Sequence, residues 1–124
     1  MRFLTMVKSR EPGGPPPARL MEAIGKLGEQ ATRSGELVMT GGLLPSAMGA
    51  RIRLSDGELA VIDGPFTEAK EIVGGFAIYE VESKEKAVEA SLRFMKLHQE
   101  HWPGWEGETE IRPMYGPADF PGKK

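Results

Sequence analysis

Two segments set the tightest limit on what this chain can fold into. In "RFLTMVKS" (residues 2–9), Phe3, Thr5 and Val7 form one alternating set, and Leu4 and Met6 the other. In "IVGGFAIYEVE" (72–82), Phe76 and Ile78 alternate with Ala77, Tyr79 and Val81, and Glu80 breaks the first set near the end. A strand that is apolar on both alternating sets has to be covered on both faces. The chain offers two helical stretches as cover. In the first, residues 17–35, Leu20, Ile24, Leu27 and Ala31 fall at i, i+4, i+7 and i+11, one apolar stripe. Pro17 suits its first turn, Gly35 its left-handed end, and Glu22–Lys26 and Glu29–Arg33 its outer side. The second starts at Ser83, a good N-cap, and is predicted to bury Val88, Leu92 and Met95 beside Ala87, Ser91 and Phe94. Glu82–Lys86 and Glu89–Arg93 would be its solvated pairs.

The remaining strands read as "ELVMTGG" (36–42), "ARIRL" (50–54), "ELAVI" (58–62) and "ETEIRPM" (108–114). "SDG" at 55–57 supplies a hairpin turn between the middle two. The order is therefore β, α, β, hairpin, β, α, β. Without the hairpin this is the ferredoxin-like βαββαβ pattern, an α+β fold with both helices on one face of an antiparallel sheet. The other face would be left as an apolar patch larger than a soluble monomer tolerates. A second copy, sheet against sheet about a two-fold axis, covers it most simply, so a homodimer is expected. One domain is expected over residues 1–115, with residues 116–124 as an irregular C-terminal tail. "REPGGPPP" (10–17) reads as a stiff surface connector.

Charge narrows the function. The formal net charge is −2, with a pI near 5.7. Nucleic-acid and anionic-membrane binders ordinarily carry a basic excess, so neither partner is expected. There is no cysteine, hence no disulfide framework and no thiolate chemistry. The N-terminal apolar run is too short for a signal peptide, and a cytoplasmic protein is expected.

The chemistry-bearing stretch is "DGPFTEAKE", Asp63 to Glu71. Asp63 can accept backbone N–H bonds ahead of it, Gly64 can take positive φ, and Pro65 restricts Gly64. On a mechanical reading this turn locks the hairpin to the next strand and aims Phe66 into the apolar interior. On a functional reading it rims a cleft. Phe66 would be the floor, Thr67 a hydrogen-bonding group, and Glu68, Lys70 and Glu71 the polar rim. A carboxylate beside an amine in a partly dry cleft suits acid–base work, which makes Asp63, Glu68, Lys70 and Glu71 the catalytic candidates. The ligand-binding set is Asp63, Gly64, Pro65, Phe66, Thr67, Glu68 and Lys70.

"DGPFTEAKE" followed by "GGF" resembles the signature of the YCII-related family, in its DGPF-domain branch. "SGELVMTGGLLP" (34–45) and "EIRPM" (110–114) are similar to that branch as well, so the resemblance spans roughly residues 1–115. It implies a ferredoxin-like fold assembled as a dimeric α+β barrel, and a biochemical function that is mostly unestablished. Family members often accompany alternative sigma factors in bacterial genomes, which hints at a role linked to transcription or stress. Some members carry a His–Asp pair around the first helix and the loop after it. Aligned through "GEL" at Gly35, those positions hold Ile24 and Arg33 here, so catalysis of that kind is not implied.

Two further features bear on function. His98 and His101 stand at i, i+3 near a helix C-terminus, which suits the helix dipole; a zinc site needs a third ligand, so no metal and no cofactor are expected. Trp102 and Trp105 flank "PG" and suit a lid, a dimer contact or burial over the helix end. The leading expectation is a small homodimeric protein that binds a small organic molecule near Asp63–Glu71. The alternatives are an acid–base enzyme of isomerase, lyase or hydrolase type, and a regulatory interaction module docking through the Pro-rich loop or the tryptophan turn.

Overall fold

The computed structural model describes residues 1–11 and 14–116. The expected tail beyond Gly116, and Pro12 and Gly13 of the Pro-rich connector, lie outside the described residues. In chain order the elements are β1 (Arg2–Ser9), α1 (Ala18–Arg33), β2 (Leu37–Gly42), a 3-10 turn (Ser46–Met48), β3 (Ala50–Ser55), β4 (Glu58–Asp63), β5 (Ile72–Glu80), α2 (Lys84–His101) and β6 (Gly107–Pro113). Four strands form one antiparallel sheet in the order β2-β5-β1-β6, and β3 pairs with β4 in a separate two-stranded sheet. This is an α+β architecture with two helices, compatible with a ferredoxin-like fold.

The two doubly apolar strands sit side by side at the centre. β1 pairs with β5 in the register Phe3↔Tyr79, Leu4↔Ile78, Thr5↔Ala77 and Met6↔Phe76. Phe3, Thr5 and Tyr79 face the helices and are buried, as are Leu20 of α1 and Ala87 and Ala90 of α2. The α1 stripe holds: Leu20 is fully buried, and Ile24, Leu27 and Ala31 are half-buried. Its outer pairs form too, Lys26–Glu22 at 3.4 Å and Arg33–Glu29 at 3.6 Å. Gly35 ends the helix with φ +83, and Ser83 caps α2 by accepting from the Lys86 N–H at 3.2 Å.

The α2 stripe is rotated from the expected one. Ala87, Ala90, Ser91 and His98 are buried, while Val88 and Leu92 are exposed at 37% and 53%. Small residues face inward, which lets α2 lie close to its neighbours, and the bulky aliphatics are displaced to the outside. Its charged partners differ as well: Lys86 meets Glu89 at 3.7 Å, and Arg93 reaches Glu36 at 2.7 Å.

The second face of the sheet is divided. On β1, β5 and β2 it carries Leu4, Met6, Ile78, Phe76 and Met39. On β6 the same face carries Arg112, Glu110 and Glu108, opposite Leu4, Met6 and Lys8. Lys8 donates to Glu110 at 2.6 Å and Arg112 does so at 3.1 Å, a charged strip along one edge. The Phe76 ring lies across Gly41, where an added Cβ would stand 3.0 Å from its Cε1. The apolar side chains shield one another, so Leu4, Met6, Phe76 and Ile78 are half-buried rather than bare. Met39 on β2 is exposed, and further strongly exposed apolar side chains stand on β3 and β4 and on the segment before them, Leu44 and Met48 among them.

Candidate functional site

Asp63–Glu71 turns a corner, and its two halves serve different surroundings. The first half closes β4 onto the 3-10 turn. Asp63 ends the ladder opposite Ala50 and is exposed. The Gly64 N–H donates to the Gly49 carbonyl at 2.9 Å, and the Gly64–Pro65 bond is cis. Positive φ is not what makes glycine necessary at position 64. An added Cβ would overlap the Ser46 carbonyl oxygen and stand 2.6 Å from its carbonyl carbon.

Ser46 is the hub of this contact and is buried. Its hydroxyl accepts from the Phe66 N–H at 3.1 Å and donates to Glu11 Oε1 at 2.6 Å, and its own N–H donates to Glu11 Oε2 at 2.5 Å. These two bonds from Ser46 hold the Glu11 carboxyl below its usual range. Phe66 is half-buried, and the Arg51 guanidinium lies 4.0 Å above its ring centroid, a cation–π contact. Arg51 also donates to Glu68 at 2.5 Å. The Glu68 carboxyl is lowered first by its own backbone N–H and then by Arg51 and Arg53. Phe66 is therefore roofed by a cation, where the sequence had aimed it into the interior. Pro65 and Thr67 are exposed.

The second half reaches a groove of about 700 Å³ at the end of the sheet where β1 finishes and β5 and β6 begin. Lys70 and Glu71 line it together with Arg10 and Glu11, Trp102 and Trp105, and Glu106 and Glu108. Residues 63–69 are not in this lining. The structure thus splits the nine-residue stretch and joins its last charged pair to the tryptophan turn.

The turn itself is built from α2 outward. Trp102 caps the helix, donating its N–H to the His98 carbonyl, and the Trp105 N–H donates to the Trp102 carbonyl at 3.1 Å. Gly104, at φ +84, supplies the left-handed step that brings the second indole back over the first. The two rings stack with centroids 5.9 Å apart. His98 packs against Trp105 at 4.6 Å and Phe94 at 4.7 Å, with Nδ1 3.2 Å from the Phe94 carbonyl. Burial pushes the His98 imidazole down from its ordinary value. His101 is half-buried beside Glu100 at 3.7 Å. Among the described residues no three His, Cys, Asp or Glu side chains are grouped to hold a metal ion.

Chemically, the groove offers an aromatic wall and a rim of both charge signs. It suits a flat organic group lying against indole with polar substituents reaching Lys70, Glu71 or Arg10. Sequence reasoning missed Glu11, Ser46, Arg51 and Arg10. Their roles depend on contacts between residues far apart in the chain, which neither periodicity nor spacing encodes. A second groove of about 560 Å³ at the opposite end, beside Glu36, Glu80 and Lys86, holds none of the candidate residues.

The YCII-related domain family matches residues 1–93, so the chain belongs to that family. It is also similar to an uncharacterized protein of Rhizobium meliloti (strain 1021), with 29% identity over 105 residues that cover 83% of this chain and 81% of the relative. Neither comparison names a reaction or a ligand. Among the described residues no helix is long and apolar enough to cross a membrane.

Proposed function

We propose that the chain is a homodimeric binding protein of the cytoplasm, in the DGPF branch of its family, that takes a small organic molecule in the groove between Lys70–Glu71 and Trp102–Trp105. In this reading β3 and β4 are a hairpin inserted into a ferredoxin-like frame, and two copies close into an α+β barrel in which the second face of each sheet is covered by the other copy. The observation that carries the ligand reading is the meeting of two segments about 30 residues apart, one bringing an amine and a carboxylate, the other two indoles. Nothing favours the acid–base enzyme to the same degree. Glu68 is held away from neutrality and is engaged with Arg51, while Asp63 stands outside the groove lining.

Trp102 and Trp105 are the chain's two tryptophans, so intrinsic fluorescence reports on this groove directly. A metabolite panel in a melting assay, followed by fluorescence titration of each hit, tests the proposal. A ligand at a hundred times its Kd adds about 2.7 kcal/mol, a shift of roughly 10 °C for a chain of this size. Lys70→Met should weaken the binding and leave stability unchanged, and Trp105→Ala should weaken it with some loss of stability, since its indole packs on His98 and Trp102. A ligand indifferent to both substitutions, or a broad panel without a shift, would count against the groove and favour the interaction-module reading.

A further inference from the structure

We infer that the β3–β4 ribbon is an arm by which each copy of the chain grips the other, its apolar face lying across the second face of the partner's sheet. This rests on the homodimer of the proposed function and adds a surface to it. The pairs Ile52↔Val61 and Leu54↔Leu59 place four aliphatic side chains on one face of the ribbon. All four are 69–72% exposed. Arg51, Arg53, Ala60 and Ile62 occupy the other face, where Arg51 and Ile62 are half-buried. The ribbon thus turns its protected side toward its own chain and its apolar side outward.

An isolated two-stranded ribbon is marginal in water, and one with a bare aliphatic face invites association. Asp56 and Gly57, at φ +52 and +78, make the two-residue turn that holds its strands in register. Its base is fixed by Gly64, Phe66 and Ser46. It is therefore a shaped element, held at one end, whose apolar face has no cover among the described residues. Among the described residues, nine of fifteen strongly exposed large apolar side chains fall between residues 38 and 61, so the surface in want of cover is concentrated there.

Area argues that the occupant is a second copy. Four aliphatic side chains at this exposure present roughly 400 Å², within the range of about 300–600 Å² of the largest patch on a typical monomer, a patch that often serves an interaction. If each ribbon covers an equal area of the other copy, two reciprocal arms bury about 1,600 Å², the size of a stable specific interface. The chain also carries a receiving surface of matching character, Leu4, Met6, Ile78 and Phe76 on the second sheet face, bounded by the charged β6 strip. A two-fold axis lets both arms make the same contact at once.

Sedimentation of the native chain and of a Leu54→Asp/Val61→Asp variant across micromolar concentrations tests this. Both residues are exposed within one copy, so circular dichroism should find the variant folded. A native dimer whose dissociation constant rises at least about tenfold in the variant supports the arm. A native dimer with an unchanged constant in the variant overturns the arm and leaves the dimer standing. A native chain that stays monomeric overturns both and leaves the ribbon face to a different protein. The absence of cysteine permits a second reading of the contact. Leu59→Cys mixed with Met6→Cys should give a disulfide-linked heterodimer under mild oxidation. Failure to link, with the dimer intact, overturns the placement on the sheet.

Discussion

Gly64→Ala isolates the mechanical half of the Asp63–Glu71 segment. The added methyl would overlap the Ser46 carbonyl oxygen and stand 2.6 Å from the carbonyl carbon and 3.3 Å from Ala47 Cα. These are backbone atoms, so no rotamer change relieves the overlap. The 46–49 turn has to retreat by at least about 0.8 Å to bring the carbonyl carbon to ordinary van der Waals distance. That motion pulls on the Gly64 N–H to Gly49 bond at 2.9 Å and the Phe66 N–H to Ser46 bond at 3.1 Å. Overpacking costs about 1–3 kcal/mol and each of the two weakened hydrogen bonds about 1 kcal/mol, for a total of about 3–5 kcal/mol. Urea unfolding should then fall in midpoint by about 1.5–2.5 M at an m-value of about 2 kcal/mol per M. Amide exchange should quicken along β3 and β4, whose base is released. Gly74→Ala is the control, since an added Cβ there meets nothing within 4 Å. If Gly64→Ala leaves both the midpoint and the ribbon's exchange within error of the native chain, the locked-turn account is wrong.

Ser46→Ala removes the acceptor of the Phe66 N–H and a donor to Glu11 at a buried position, and should cost about 1–3 kcal/mol in urea unfolding; no loss would mean the hub is idle. Gly107→Ala would place a methyl 2.5 Å from Trp105 Cη2 and 2.7 Å from the Lys8 carbonyl oxygen. It should displace the indole, shift tryptophan emission to the red and lower stability by about 1–3 kcal/mol, an unshifted spectrum being the contrary result. His98 gives a pH dependence whose sign is fixed. Burial holds its folded-state pKa below 6.5, so the unfolded chain takes up the proton first. The stability it contributes is whole above 6.5 and falls away as pH drops through the folded value. The urea midpoint of the native chain should fall more steeply on acidification than that of His98→Phe; parallel profiles would refute the assignment.

How much of this could be read in the sequence depends on the length scale of the determinant. The strands and helices are local. Phe3 and Thr5 against Leu4 and Met6, or Leu20 through Ala31 at helical spacing, announce themselves within ten or twelve residues. The buried side of α2 departs from the sequence pattern because hydrophobicity favours Val88 and Leu92, whereas close approach selects Ala87, Ala90 and Ser91. His98 lies inside because three aromatic rings and one carbonyl surround it, and two of those rings, Trp102 and Trp105, are supplied by a turn beyond the helix. The motif was visible, and its division was not. Nothing in "DGPFTEAKE" says that Phe66 will answer to Ser46 and Arg51 while Lys70 lines a groove with Trp105.

That division has a physical logic. Residues 63–66 are fixed by contacts with Ser46 and, through it, Glu11: a backbone carbonyl that excludes any side chain at 64, a hydroxyl that takes the Phe66 N–H, and a carboxylate that holds the hydroxyl. Such contacts position a chain and offer little to a ligand, since their polar groups are already used. Lys70 and Glu71 are exposed on the wall of a groove, where a ligand can reach them. The glycine, proline and phenylalanine of the motif therefore hold the geometry, and its charged end is what remains free for chemistry. A substitution at Gly64 should then disturb the ribbon first and the groove only through the chain that joins them, whereas Lys70→Met should alter binding in the groove without loosening the ribbon.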